Sequence, residues 1–486
     1  MIILARAPFL AVLSGLVTML ALYDRAAFSF FSFFSYALAL PVAALLVTLG
    51  VMASSFSEKL KGQWRVAAVV VVCVLASSLW IVFSLNRSFS KPLPASINTT
   101  GVVIESRPWG RFYAIAVSTP RGGFLLKMPF DALVEGDVIR IEGKPEPFES
   151  DPDSDFREDR YWMARGVTAQ LVSFKTEPAA KNDIPFWNIH RWRYTLYLSL
   201  IMNMPRLSGA YLNAAWTGKH DAMLDKAHRS WGTSHILAVS GFHVGVAMAA
   251  ASYILKRGRW RVPLLSLILW FYVFLAGASA SAVRAGLMIQ AGLAGELVGR
   301  PGNSLNSVSL AAVLLLLHSP FWFWDIGWRL SVLAAMAIAV SYERWASFGW
   351  RTWLFMNAMI WLVTFPQVSW TFESVPMASF FINLVAPQFF GIMFSTASVV
   401  AALSLLGVPG TSFLIQAVEG SFTLWGIGAD WAARMIPWQL GWHPIAAYCC
   451  AAVFIMFACR AFYVPWRNVA IMSPLGALSA YALFVV

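Results

Sequence analysis

Between Val66 and Leu85 the chain carries no charged side chain, and Ala446 to Ala458 is likewise apolar on every face. A surface helix keeps one polar side, so runs of this kind must be covered all round, and one of about 18 residues or more can cross a bilayer. With 59% hydrophobic and only 12% charged residues over 486 positions, such runs recur to the end of the chain. This excludes a string of soluble domains and predicts an α-helical polytopic membrane protein.

Hydropathy places spans near residues 8–22, 28–53 and 66–85, one through Ser234 to Val246, and others near 262–280, 283–298, 305–318, 329–342, 353–370, 377–405, 412–436, 444–459 and 468–485. That makes roughly 13 spans, some of them broken or re-entrant if Pro387 and Pro409 interrupt their helices. The first run ends in Leu22-Tyr23-Asp24, without a small-x-small cleavage site, and is read as retained. Cys73, Cys449, Cys450 and Cys459 lie in apolar segments without metal-ligand spacing, so no metal, cofactor or disulfide framework is expected.

The net charge of +12 is unevenly placed: residues 86–183 hold thirteen basic and fourteen acidic side chains, whereas 184–486 hold eighteen and eight. Arg6, the loop with Lys59, Lys61 and Arg65, and the cluster Lys256, Arg257, Arg259 and Arg261 are the basic flanks. The positive-inside rule puts them all in the cytoplasm, with a cytoplasmic N-terminus and residues 86–232 extracytoplasmic.

The extracytoplasmic insert reads as β. Ile97 to Glu105, Phe112 to Thr119, Gly123 to Met128, Asp137 to Glu142 and Val167 to Lys175 are short runs rich in Val, Ile, Phe and Tyr, and Pro120-Arg121-Gly122-Gly123 is a hairpin turn. Five such strands suggest a small closed barrel of the OB type, inserted after the third span, with an acidic helix-prone segment from Asp151 to Arg165 before the last strand. The expected organisation is therefore 1–85, N-terminal spans; 86–183, the OB-like β domain; 184–232, an interfacial amphipathic helix and linker; and 233–486, a polytopic domain.

Ser234 to Val246, SHILAVSGFHVGV, places ionisable groups in an apolar run, where they are costly. Ser240 and His243, three apart, share a helical face and can hydrogen-bond, with His235 farther out; either the three line a wet cavity or each imidazole satisfies a neighbouring carbonyl. Gly241 and Gly245 form a small-xxx-small pair that packing alone explains. In LAGASASAVRAGL, Leu275 to Leu287, small residues that include Ser281 surround Arg284, which serves a ligand or anchors the span. Asp325 and Arg329 suit a local ion pair, and Asn383 with Pro387 marks either a broken helix with a freed carbonyl or a plain helix–helix hydrogen bond.

These residues resemble the ComEC-type competence proteins. SHILAVSGFHVGV is similar to that family's S-H-L-L-A-[IV]-S-G-L-H-V-G signature, and LAGASASAVRAG to its L-x-G-x-x-[PA]-S-x-x-R-A segment. Asn303 to Ser331, Phe381 to Pro387 and Asp155 to Thr168 resemble three further elements, in the family's order. Arg329 stands where glutamine is usual, Trp216-Thr217-Gly218-Lys219 only weakly echoes a G-D-R segment, and no HxHxDH metal motif occurs before Val486.

The resemblance implies a channel or translocase subunit in the bacterial inner membrane that carries single-stranded DNA during natural transformation. It implies no enzymatic activity in this chain, since the family's nuclease domain is missing from it. A separate DNA receptor, a nuclease, and a cytoplasmic motor or single-strand-binding proteins become the expected partners, alongside the lipid bilayer and a homo-oligomer. It casts His235, Ser240, Gly241, His243, Gly245, Ser281, Arg284, Arg329, Asn383 and Pro387 as channel-lining or substrate residues. Trp109, Phe112 and Tyr113 become base-stacking candidates. Two other classes stay open on the residues: a transporter or exporter of another anionic or lipidic substrate, and an intramembrane hydrolase using Ser240 and His243.

Overall fold

The computed structural model describes residues 8–26, 64–90, 92–130, 133–148, 157–179, 188–256, 258–299, 302–345, 349–461, 466, 468–470, 472–474 and 476–477. The expected span at 28–53 and most of that at 468–485 lie outside them.

Two helices, α1 (Pro8–Ala26) and α2 (Trp64–Ser90), open the chain. Five strands follow: β1 (Ile97–Trp109), β2 (Phe112–Thr119), β3 (Gly122–Met128), β4 (Val138–Glu146) and β5 (Val167–Pro178), with α3 (Glu158–Ala164) before the last. They close into a barrel in the order β1-β2-β3-β5-β4, all neighbours antiparallel except β3 and β5. Alternation drives closure: along β4, Ile139 and Ile141 point inward and Arg140 and Glu142 outward, and the inward set meets Val103, Ile115, Val117 and Leu126. Closure leaves no open sheet edge, which five short strands need to be stable.

The remainder is helical: α4 (Ile189–Asn203), α5 (Arg206–Thr217), α6 (Ala222–Trp231), α7 (Gly241–Ile254), α8 (Arg261–Leu275), α9 (Ala280–Val298), α10 (Ser304–His318), α11 (Ile326–Trp345), α12 (Trp350–Phe372), α13 (Ala378–Leu405), α14 (Thr411–Met435) and α15 (Pro444–Ala461). A short ladder of β6 (Ser374–Pro376) and β7 (Gln439–Gly441) ties the ends of α12 and α14. Capping side chains set the starts of several helices: Asn188 for α4, Asp221 for α6, Ser279 for α9 and Asn303 for α10.

Among the described residues three segments are long and apolar enough to cross a membrane, Val69–Ser88, Ser234–Ile254 and Ala378–Leu405, and several shorter apolar helices accompany them. Val69, Val72, Leu79 and Phe83 on α2, and Phe381, Val385, Ile392 and Val399 on α13, stay exposed, as lipid-facing side chains must. Of the roughly 13 expected spans, some of them broken or re-entrant, the described residues show these three long ones with shorter apolar helices beside them.

Two features differ from the sequence expectation. Pro387 does not break its helix, because α13 is continuous from Ala378 to Leu405; proline removes only the hydrogen bond to the carbonyl four residues back, that of Asn383. Pro409 does fall between α13 and α14. The segment through SHILAVSG is not one helix either: Ser234–Ile236 is a single 3-10 turn, residues 237–240 are irregular, and α7 begins only at Gly241.

Barrel and bundle meet through charge. Glu135, only 3% exposed, accepts from Arg193 Nη2 at 2.6 Å and Nε at 3.1 Å, and Lys219 Nζ lies 3.3 Å from its other side. The adjacent turn runs through Gly136 with φ +85°, and a Cβ there would sit 2.5 Å from the Arg191 backbone, so only glycine lets the barrel seat on α4. Arg160 on α3 lies 4.4 Å over the ring of Trp324, a second seat.

Removing one partner of a buried pair strands the other charge. Glu135→Ala should therefore cost about 3–5 kcal/mol in thermal unfolding, against under about 1 kcal/mol for Asp137→Ala, whose Arg191 partner is half exposed. Equal losses for the two variants would refute the assignment of Glu135 as the main tie.

His228 provides a second stability prediction. Its Nε2 lies 2.8 Å from Tyr211 Oη and its Nδ1 2.9 Å from Thr233 Oγ1, and burial holds its pKa down at about 4, below its ordinary 6.5. Between those values the unfolded chain binds a proton that the fold excludes, so stability declines as pH falls through that window, by up to about 3 kcal/mol. His190, held at about 4 by burial and by Arg193, adds to the same slope. Melting curves of His228→Gln should show a visibly flatter pH dependence than the parent; an unchanged profile would exclude His228 as a source.

Candidate functional site

A cavity of about 1790 Å³ lies between the barrel and the helices. Its roof comes from β1 and α3, its sides from the start of α4 and the α5–α6 turn, and its floor from the loop at 276–281 and the turn before α11. Small-molecule pockets run to about 300–1,000 Å³, so this space is larger than a typical metabolite site.

Its described lining carries seven cations, Arg107, Arg157, Arg160, Arg165, Arg193, Lys219 and Arg329, against four carboxylates, Glu105, Glu135, Asp325 and Glu373. The insert as a whole is nearly neutral, yet its helix and strand ends direct four arginines to this one surface. Several are held in place: Arg107 sits against the rings of Trp109, Tyr161 and Trp162, Arg165 lies 3.7 Å over the ring of Tyr161, and Arg165 Nη1 is 3.4 Å from Asp325. Asp325 also caps α11 by accepting from the Trp328 N–H at 2.9 Å. Arg329 donates from Nε to the Phe323 carbonyl at 2.7 Å, with its guanidinium 4.8 Å from that ring.

Beneath the floor a polar chain enters the bundle. Ser281 borders the cavity and its Oγ lies 3.0 Å from Ser331 Oγ, which accepts from Arg284 Nε at 2.8 Å. Arg284 is only 7% exposed, and among the described residues no carboxylate pairs with it. A charge in such a place costs at least about 2.5 kcal/mol on insertion scales. Gly241 faces it: a Cβ there would lie 3.2 Å from Arg284 Nη2 and 3.3 Å from Ala285 Cβ.

Of the ten residues read as channel-lining, Ser281 and Arg329 border the cavity, while Gly241 and Arg284 lie one layer below. Gly245 has open space where its side chain would be, so among the described residues no helix packs on it, and there the expected small-xxx-small pair reduces to Gly241. His235, Ser240 and His243 do not share a face, because the helix starts after Ser240. The Ser240 N–H donates to His243 Nδ1 at 3.3 Å, and Ser240 Oγ lies at the same distance, an arrangement that caps α7. His243 is 4% exposed, its ring is 4.7 Å from that of Phe394, and its Nε2 has no partner among the described residues. His235 is exposed on the preceding turn.

Asn383 Oδ1 is buried without a partner and Pro387 is exposed on α13, both away from the cavity. Among the aromatic candidates, Trp109 packs on Tyr161 and Trp162 and Tyr113 on the barrel core, leaving Phe112, 48% exposed, as the open ring. No group of metal-ligating side chains is assembled among the described residues.

Sequence reasoning did not single out Glu135, Ser331, or α5, whose Tyr211, Leu212 and Ala215 are buried in the bundle. Helix α5 is held by Glu419 of α14, which accepts from the Leu207 and Ser208 N–H groups at 3.0 and 2.8 Å. Glu419, one of two acids with Asp430 in an otherwise mostly apolar helix, was the available signal. Glu135 gave none, since it is one of many acids in a polar insert.

Comparison with known proteins places the chain in a family. The family model described as Competence protein matches residues 215–468, from the end of α5 to beyond α15. ComE operon protein 3 of Bacillus subtilis (strain 168) is 38% identical over 119 residues, 24% of this chain and 15% of that protein. The uncharacterized protein YcaI of Escherichia coli (strain K12) is 24% identical over 243 residues, 45% of this chain and 31% of that protein. The matches thus span less than a third of either relative, and no solved structure matches. Because the family model covers more than half of the chain, including Gly241, Arg284 and Arg329, the chain belongs to the competence protein family.

Proposed function

We propose that this chain is a conduit subunit that passes single-stranded DNA across the bacterial inner membrane during transformation. The observation that carries the reading is the cavity between barrel and bundle, whose described lining has three more cations than carboxylates and whose floor opens on the polar chain to Arg284. A strand's phosphates gain affinity from such a lining through counterion release. In this reading the barrel is extracytoplasmic and of the OB type. Its strand order supports that, while α3, placed before β5, is an unusual position for an OB helix.

Within this arrangement the barrel roofs the vestibule instead of capturing DNA on an outer aromatic face. Phe112 is the sole open ring of the three stacking candidates, and the arginines face inward. Partner proteins supply reception, strand degradation and cytoplasmic pulling. Ser240 and His243 serve as a helix cap, and among the described residues no third group orients the imidazole as a nucleophile's base requires.

The test is uptake of labelled single-stranded DNA into liposomes containing the full chain. Arg157→Gln and Arg329→Gln should each weaken strand binding and lower the slope of log affinity against log salt by about 0.7 per lost phosphate contact. No uptake under any imposed gradient, together with salt-independent binding, would overturn the reading in favour of a different anionic or lipidic substrate.

A further inference from the structure

Arg284 is the least explained charge in the molecule. It lies 7% exposed within the bundle, bonded through Nε to Ser331 Oγ and through Nη1 to Met288 Sδ at 3.2 Å. Its remaining nitrogen, Nη2, has no hydrogen-bond partner among the described residues and rests against Gly241, the first residue of α7. The positive end of a fourteen-residue helix therefore adjoins an uncompensated cation, two like charges where a fold ordinarily brings unlike ones. An anion bonded to both from one side removes that conflict.

We infer that Arg284 and the N-terminus of α7 form a binding station for a single phosphodiester group. A phosphate oxyanion offers several acceptor oxygens, enough to take the free Nη2–H together with the Gly241 and Phe242 N–H groups that the Ser240–His243 cap leaves open, which a single-atom halide cannot match geometrically. A Cβ at Gly241 would lie 3.2 Å from Nη2, so a side chain there shifts the guanidinium within the station. Access comes from the cavity floor, since Ser281 borders that space and connects through Ser331 to Arg284.

Phosphodiesters occur both in a nucleic-acid strand and in a phospholipid headgroup. The link to the cationic cavity favours the strand, and that part of the inference rests on the proposed uptake function. In it, Arg284 receives phosphates one at a time after the vestibule has gathered them, and acts on passage more than on capture.

The experiment is a thermal-shift titration of the full-length protein in detergent with inorganic phosphate, against chloride at equal ionic strength. Phosphate should stabilise the parent beyond chloride. Its apparent affinity should fall at least about tenfold in Arg284→Gln and in Gly241→Ala, the scale of one lost charge-assisted hydrogen bond, with Arg284→Lys recovering part of it. Should Arg284→Gln fail to fold, Gly241→Ala decides, because it leaves every charge in place.

Absence of a phosphate-specific shift in the parent, or equal shifts in parent and Gly241→Ala, overturns the station. Repeating the titration with a short oligonucleotide and with phosphatidylglycerol separates the sources: an Arg284-dependent response to the lipid alone rejects the strand assignment. In liposomes, Gly241→Ala should slow strand uptake while leaving binding at the vestibule unchanged. A phosphate-responsive parent that transports no strand would keep the station and reject the conduit.

Discussion

The Glu135 carboxylate governs how the two halves of this protein meet. It is buried where barrel, α4 and the α5–α6 turn converge, and it takes two bonds from Arg193 while Lys219 closes its other side. Arg193 Nη2 also donates to the Ile104 carbonyl at 3.1 Å, so the same guanidinium binds the barrel's backbone. An apolar seam could slide; a forked, desolvated ion pair defines one orientation, because any displacement leaves charge unpaired away from water. The cavity below inherits its shape from that orientation.

With the barrel held there, arginines distributed along β1, α3 and the turn before β5 converge on one space. Their neighbours hold them without neutralising them all: aromatic rings around Arg107 and Arg165, the Phe323 carbonyl for Arg329, Trp324 beneath Arg160. Cation–π and carbonyl contacts orient a guanidinium while leaving its positive charge intact. The cavity thus holds its guanidinium groups in fixed positions and carries more cations than carboxylates on its described lining.

The transition from vestibule to bundle depends on a helix that starts late. Because Ser240 and His243 cap α7 at Gly241, the preceding residues form an irregular segment at the end of an apolar run, and the first turn of α7 is left facing Arg284. Non-helical backbone at membrane depth is tolerated where protein or water covers its polar groups. Here the loop at 276–281 does so in part, with Ser279 Oγ donating to the Val239 carbonyl at 3.0 Å.

By itself the sequence determined what short-range periodicity encodes. Within the described residues the apolar runs became helices, the five runs rich in Val, Ile, Phe and Tyr became barrel strands within a few residues of their expected ends, and SHILAVSGFHVGV with LAGASASAVRAG marked the segments that meet at Gly241 and Arg284. Burial pattern is a local property, and strands and helices follow it. Tertiary structure alone decided the rest. Glu135 and Arg193 are 58 residues apart, so nothing in the spacing of either announces the pair. The helix through Pro387 stays whole, while the one through SHILAVSG does not, because capping and packing partners, not composition, decide whether a backbone carbonyl or N–H can go without its helical bond. The near-neutral sum of the insert likewise concealed its charged face, since a sum has no direction and a folded surface does.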